Sequence, residues 1–309
     1  MRVLVTGGTG FVGRYVVSLL RQRGHFVLIG TRGICKEENC VQFFMDCIDW
    51  MDKTIEKNQI ECIIHLSACA SVSRSFSFPF ETYKNNVNDT VNLLNLLADK
   101  YTNIKLILAS SSEVYQLSNE TLTEDSTLGP VSPYGHSKLF VDCFSRSIAK
   151  QRNLKWIVTR PFNTVGVGQN PTYVFPSFVR QIVEMKLGLK EKVMYVGNIQ
   201  VQRDFVDVND VARAYVRLCE DQETSDVFNL CSGESICLAS CIRDLIEIAI
   251  LKDVYIVVVE KLLRPIEVMR FVGSNKKMLE KHNWVPKVAI RETIERFLVD
   301  TEEKIKNVH

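Results

Sequence analysis

Residues 2–24, "RVLVTGGTGFVGRYVVSLLRQRG", decide the fold. The first five are apolar enough for a buried strand, and from Phe11 onward the apolar positions recur at helical spacing. Between the two segments Gly7, Gly10 and Gly13 stand as G-x-x-G-x-x-G. In such a loop the first glycine permits a tight turn, the second lets a phosphate approach the backbone, and the third lets the helix pack on the strand. The helix N-terminus then supplies N–H donors and the positive end of a dipole. A glycine motif alone carries little weight, but strand, loop and helix in this order point to a dinucleotide-binding unit. The alternative is a glycine turn that serves packing only.

Outward from this unit the alternation continues through "HFVLIG", "CIIHLS", "TVNLLNLLADKY", "IKLILAS", "YGHSKLFVDCFSRSIAKQ" and "KWIVTR". It predicts right-handed β-α-β units and an α/β fold with a doubly wound parallel sheet. After Arg160 the rhythm breaks into loop and helix around Pro171 and Pro176. "RDFVDVNDVARAYVRLCE" with "DVFNLC" then reads as one more helix and strand returning to the sheet. The expected division is a dinucleotide-binding domain of residues 1–165 plus about 205–232. A smaller interleaved substrate lobe takes about 166–204 plus 233–309.

With 309 residues, 46% hydrophobic and 24% charged, the chain falls in the globular range. Lys and Arg number 38 against 36 Asp and Glu, a balance that gives no charge argument for a nucleic-acid or membrane partner. Neither a signal-peptide pattern nor an apolar run of about 18 residues is present, so a cytoplasmic protein is expected. Ten cysteines without C-x-x-C spacing read as reduced, mostly buried thiols. Cys237 and Cys241 lack the second close pair of a zinc site, and no metal is expected.

At the end of the second strand stands Gly30-Thr31-Arg32-Gly33, where an acid would hold a ribose 2′-hydroxyl. With no carboxylate to repel a 2′-phosphate and Arg32 to pair with it, NADP(H) is favoured and NAD(H) is the alternative. Arg32 as a solvated loop charge is the plainer reading. Asp46 is either an acceptor for the adenine amino group or a turn cap.

"SPYGHSK" opens a helix at Pro133 and sets Tyr134 and Lys138 one turn apart. A phenol with an ordinary pKa near 10 becomes a better proton relay beside an ammonium, although spacing alone equally describes a surface polar pair. "SSSEVYQ", residues 110–116, follows a core strand at the end where α/β sheets bind ligands. Glu113 shares a face with Ser111 only if that strand continues through Ser112. Ser110 and Ser112 read as backbone partners of the turn.

The glycine loop, "HLSACASV", "NNV" at residues 85–87, "SSSEVY", Y-x-x-x-K and "RPFN" together resemble the extended short-chain dehydrogenases/reductases, the NAD-dependent epimerase/dehydratase family, over nearly the whole chain. "RPFNTVGVGQNP", "VGNIQVQRDFVDVNDVARAY", "FNLCSG" and "LRPIEV" resemble its GDP-4-keto-6-deoxy-D-mannose reductases more specifically. The resemblance implies a Rossmann sheet and reduction of a sugar C4 ketone, on a GDP-linked 4-keto-6-deoxy hexose or a related heptose. Ser111, Tyr134 and Lys138 would be the catalytic set, with Glu113 as a further candidate. It places the cofactor among Gly7, Gly10, Phe11, Val12, Gly13, Arg32, Asp46, Cys47, Leu66, Ala68, Tyr134, Lys138 and Phe162. It places the nucleotide sugar near Ser111, Ser112, Asn163, Arg180, Arg203, Arg264 and Glu267. Arg264 and Glu267 are alternatively an ion pair with each other. A homodimer is implied through the helices containing Leu93, Leu97, Phe140 and Phe144, where apolar residues exceed what one sheet face needs, a pattern that equally describes core. Gln116 departs from the family's glycine after the V-Y pair, which predicts an altered loop beside the sugar. A dehydratase or epimerase with a retained cofactor, and a non-catalytic dinucleotide sensor, are the rival readings.

Overall fold

The computed structural model describes residues 1–221, 224–263 and 267–307. Strands in chain order are β1 (Arg2–Thr6), β2 (Phe26–Thr31), β3 (Cys40–Gln42), β4 (Cys62–His65), β5 (Lys105–Ala109), β6 (Thr121–Leu122), β7 (Trp156–Pro161), β8 (Asn163–Val165), β9 (Val193–Val196), β10 (Gln202–Arg203), β11 (Phe205–Asp207), β12 (Asp226–Leu230), β13 (Ile236–Cys237), β14 (Tyr255–Val258) and β15 (Arg270–Gly273). Helices are α1 (Phe11–Gln22), α2 (Ile48–Lys57), α3 (Val72–Ser77), α4 (Pro79–Tyr83), α5 (Asp89–Lys100), α6 (Pro133–Arg152), α7 (Val174–Lys186), α8 (Val208–Glu220), α9 (Leu238–Ile248), α10 (Lys276–His282) and α11 (Ile290–Lys306).

Seven strands form one sheet in the order β12-β7-β5-β4-β1-β2-β3, and each neighbouring pair is parallel. This is the doubly wound arrangement expected from the alternation, and α8 and β12 do return the chain to the sheet. Period-two geometry sorts the strand residues onto two faces. Val3, Val5, Cys62, Ile64, Ile107 and Ile157 pack with α1 and α8. Leu4, Ile63, Leu106, Leu108 and Val158 pack with α2, α5 and α6 on the other face. Lys105 is buried at the start of β5, where its ammonium donates to the Leu218 carbonyl at 2.7 Å and to that of Asp221. It thereby satisfies the negative C-terminal end of α8.

A four-stranded sheet, β13-β10-β15-β6, and a cluster of α7, α9 and α11 residues build the second packing centre. Met278 and Trp284, in the stretch assigned by sequence to the smaller lobe, pack against the large sheet. Likewise β6, from the first 165 residues, pairs with β15. Asp204 joins these parts. Its buried carboxylate accepts from the Ser232 N–H and hydroxyl at 2.7 Å each, from Gly233 N–H at 3.0 Å and from Gly273 N–H at 3.2 Å.

Two expectations are corrected. Cys35 and Cys40 form a disulfide across the turn before β3, where short sequence separation brings them together, and Cys47 and Cys143 are exposed rather than buried. Leu93 and Leu97 are buried in the sheet-facing core, so they are not surplus apolar residues, whereas Phe140 is exposed and stacks on Phe144. No helix among the described residues is long and apolar enough to cross a membrane.

A buried polar chain ties β1, β4 and α5 together. The Thr90 hydroxyl donates to the Asn86 carbonyl at 2.7 Å, so His65 Nε2 donates to Thr90 at 3.0 Å and Nδ1 accepts from Thr6 at 2.7 Å. Burial, with Lys138 and Arg32 adding to it, lowers the His65 pKa from 6.5 to about 3. A depressed folded-state value means that His65 contributes stability above pH 6.5 that is lost as pH falls toward about 3. The slope reaches about 1.4 kcal/mol per pH unit. His65→Gln is expected to lower the neutral-pH melting temperature but to flatten its decline between about pH 7 and pH 4. Calorimetry that returns parallel curves for variant and native protein would contradict this assignment.

Candidate active site

The residues singled out by sequence converge on the edge of the large sheet where its strands end. After β1, Gly7 adopts a φ of 71°, and a Cβ there would lie 2.8 Å from the Ser67 nitrogen. At Gly13 a Cβ would come within 2.1 Å of the Gly7 carbonyl, so only glycine lets α1 start this close to the strand. Gly10 begins α1 without a side-chain cap, leaving its first N–H groups to be met by another acceptor. Phe11 and Val12 occupy the first turn and are half-buried. Leu66 and Ala68 follow β4 beside Gly7, and the Leu66 N–H donates to the Thr6 carbonyl at 3.1 Å. The loop after β8 is fastened over this turn, because Arg14 and Tyr15 both donate to the Val167 carbonyl, at 3.0 and 2.9 Å.

Arg32 stands just beyond β2 as expected, with its side chain half exposed and paired to the chain. Its guanidinium donates to Asn85 Oδ1 at 2.8 Å and pairs with Asp89. The expectation that no carboxylate stands here is corrected, since the helix after "NNV" brings one from far along the chain. Burial raises the Asp89 pKa and the adjoining Arg32 works against that rise. Asp46 lies in an exposed turn, and Cys47 is the exposed residue before α2, whose side chain does not cap it.

Ser132 caps α6 by accepting from the Gly135 N–H at 3.0 Å, with Pro133 in the first turn. This fixes Tyr134 and Lys138 at the buried mouth of the helix, 7% and 5% exposed. β5 ends at Ala109, and residues Ser112–Val114 form one tight turn. The strand therefore does not continue through Ser112, and Glu113 meets Ser111 by a different route. The Ser111 hydroxyl accepts from the Glu113 N–H at 3.1 Å and lies near enough to the Tyr134 phenol to act on its titration. Ser112 is buried in the turn, where its carbonyl accepts from Tyr115 at 3.1 Å, and Ser110 N–H donates to the Thr159 carbonyl at 2.8 Å.

Burial dominates the electrostatics of Tyr134 and Lys138. Burial raises the Tyr134 pKa well above its ordinary value, Ser111 opposes this, and the nearby Glu113 charge adds to it. Lys138 instead donates to the Ala109 carbonyl at 2.8 Å, and its burial lowers its own pKa to about 8. Tyr173, at the start of α7, lies within electrostatic reach of Tyr134. Sequence gave no sign of it, because no motif marks the loop that delivers it.

Gln116 sits in the loop after the V-Y pair and faces Gly129. Its backbone does not occupy the left-handed region. Its side chain lies on Gly129, where a Cβ would sit 3.1 Å from that of Gln116, so a glycine opposite makes the room. Phe162 is buried between Tyr115 and Phe271, with ring centroids at 6.3 and 5.7 Å. Asn163 donates to the Asp204 carbonyl at 2.8 Å. Arg180 is exposed on α7 and pairs with Glu184 at 2.7 Å. Arg203 and Glu267 are brought together at 3.1 Å, and Asn198 donates to the same carboxylate at 3.1 Å. Arg264 lies outside the described residues. Among those described, no three His, Cys, Asp or Glu side chains gather as metal ligands.

Residues 4–297 match the family model for GDP-mannose 4,6 dehydratase. The chain is 33% identical over 254 residues to the GDP-6-deoxy-D-mannose reductase of Pseudomonas aeruginosa, covering 80% of this chain and 82% of that one. It is 29% identical to the GDP-6-deoxy-D-talose 4-dehydrogenase of Aggregatibacter actinomycetemcomitans, covering 90% of each. Among solved structures, RMD from Pseudomonas aeruginosa complexed with NADPH superposes with a TM-score of 0.84 at 29% identity over 98% of this chain and 99% of that one. The UDP-glucose 4-epimerase of Thermotoga maritima with UDP-glucose superposes with a TM-score of 0.88 at 25% identity, covering 99% of this chain and 100% of the other. Sequence and fold agree, and the chain belongs to the GDP-mannose 4,6 dehydratase family within the extended short-chain dehydrogenases/reductases.

Proposed function

We propose that this protein is an NADPH-preferring reductase of the C4 ketone of a GDP-linked 4-keto-6-deoxy sugar. The observation that carries the reading is the convergence of three buried residues, Ser111 in the turn after β5 and Tyr134 and Lys138 on the first turns of α6. A reductase must deliver a proton to the sugar oxygen, and a neutral phenol is suited to give one. The likeness to the named reductase and to its complex with NADPH supports the substrate class and the cofactor.

The strained Gly7 turn and the uncapped start of α1 fit a dinucleotide pyrophosphate, with Gly10, Phe11, Val12 and Gly13 around it. Leu66 and Ala68 would flank the cofactor, while Arg32 would turn from Asp89 toward a 2′-phosphate. When bound, the nicotinamide supplies hydride. The remaining work falls to the chain. Ser111 holds the Tyr134 phenol and hydrogen-bonds the sugar oxygen as charge develops there. Tyr134 gives its proton, and Lys138 adds positive charge nearby. Asn163, Arg203, Arg264 and Glu267 would hold the nucleotide sugar, with the Arg203 fork suited to its diphosphate.

Exposed Phe76, Phe78, Phe80 and Phe140, on α3, α4 and α6 and their junction, support a homodimer through this face. We take the enzyme to be cytoplasmic. The nearness of Glu113 to Tyr134 favours a second reading, a GDP-mannose 4,6-dehydratase that retains its cofactor.

Three outcomes are expected. Tyr134→Phe lowers turnover about 10²- to 10⁴-fold while NADPH binding stays nearly native; steady-state kinetics with an equilibrium titration check this, and an unaltered rate defeats the assignment. Arg32→Ala raises the KM for NADPH about tenfold or more and leaves that for NADH nearly unchanged, so an equal effect on both removes Arg32 from 2′-phosphate recognition. Incubated with GDP-mannose and no added NADPH, the native enzyme yields no 4-keto product by mass spectrometry. Its appearance would replace the reductase reading with the dehydratase.

A further inference from the structure

A buried connection runs from the helix of Tyr134 to the turn of Ser111. Asp142 falls one turn beyond Lys138 on α6. Arg160, at the end of β7 and 1% exposed, grips it as a fork, Nε to Oδ2 at 2.9 Å and Nη2 to Oδ1 at 3.2 Å. The third nitrogen, Nη1, donates to the Tyr115 hydroxyl at 3.1 Å and to the Glu124 carbonyl at 3.0 Å. Burial pushes the Tyr115 phenol up to about 12, so it stays neutral and donates in turn to Asn229 Oδ1 at 2.6 Å. Tyr115 also closes the turn that Ser111 begins, its N–H donating to the Ser112 carbonyl at 3.1 Å. One guanidinium thus joins the helix that carries Tyr134 to the turn that carries Ser111.

We propose that Arg160, acting through Tyr115, is a positioning residue that holds the Ser111 hydroxyl against the Tyr134 phenol. Stability alone does not account for such a buried pair, since apolar replacements of similar volume are often no worse. What an arginine fork adds is fixed direction at three nitrogens. A proton relay requires this, because displacement by about 1 Å costs rate on the order of a hundredfold. The turnover arm of the test rests on the ketoreductase reading, whereas the exchange arm does not.

Tyr115→Phe removes one hydroxyl and keeps both the ring and the ion pair. In the full-length protein it is expected to lower kcat about tenfold or more, with the KM for NADPH within about twofold of native. Amide hydrogen exchange at residues 112–115 should quicken while α6 keeps its protection. Arg160→Lys keeps the charge without the fork and should act in the same direction more strongly. An unchanged kcat in Tyr115→Phe, or exchange that quickens equally along α6, overturns the proposal. If neither variant folds, the native protein decides. Val114 and Tyr115 amides that exchange as slowly as those of β5 support it, and loop-like exchange overturns it. A native protein that reduces no 4-keto sugar defeats the proposed function, and the exchange measurements then judge the connection alone.

Discussion

A parallel sheet must send every strand out through the same edge, and the rest of this molecule follows from that constraint. With seven strands aligned, the turns after β1, β4, β5 and β7 open side by side. Gly7, Leu66, Ser111 and Asn163 are far apart in sequence but share that edge. The reversal of strand order between β1 and β4 parts the helices there and leaves a crevice over the glycine turn. Polar side chains buried at this edge are held by neighbouring backbone groups. That is how the Ser110 and Ser111 hydroxyls find partners where a core strand ends, in the Lys138 carbonyl and the Glu113 N–H.

Much of this was legible in the chain because it is local. Apolar periodicity gave the strands and helices, Ser132 and Pro133 marked the start of α6, and the spacing of Tyr134 and Lys138 put them on one face. The glycine loop was readable for the same reason, since the need for Gly7 and Gly13 arises within a few residues of each. The family resemblance added an order of motifs that local chemistry would not have ranked above a surface polar pair.

What escaped the sequence is contact between distant segments. Asp89 reaches Arg32 across 57 positions, so a helix supplies the carboxylate that the loop after β2 lacks. Arg203 pairs with Glu267 across 64 positions, where sequence suggested only a near neighbour at 264. Lys138 was expected to act on Tyr134 by proximity, yet burial made the Ala109 carbonyl its nearest satisfaction. The end of β5 at Ala109 likewise turned Glu113 from a strand neighbour of Ser111 into a donor to its hydroxyl. In each case the deciding force is desolvation. It makes a charged or polar group take the first partner that packing brings, and packing is not written in spacing.

Asp204 gives the architecture a property of its own. Its carboxylate gathers donors from the segment after β12 and from β15, while its carbonyl accepts from Asn163 after β7. The large-sheet part and the smaller lobe are therefore not separable cassettes. A chimaera that took its smaller lobe from a relative would have to import residues around 163, 204, 232 and 273 together, or bury a carboxylate without its partners. Substitution within the lobe leaves this knot intact, whereas exchange of the lobe breaks it.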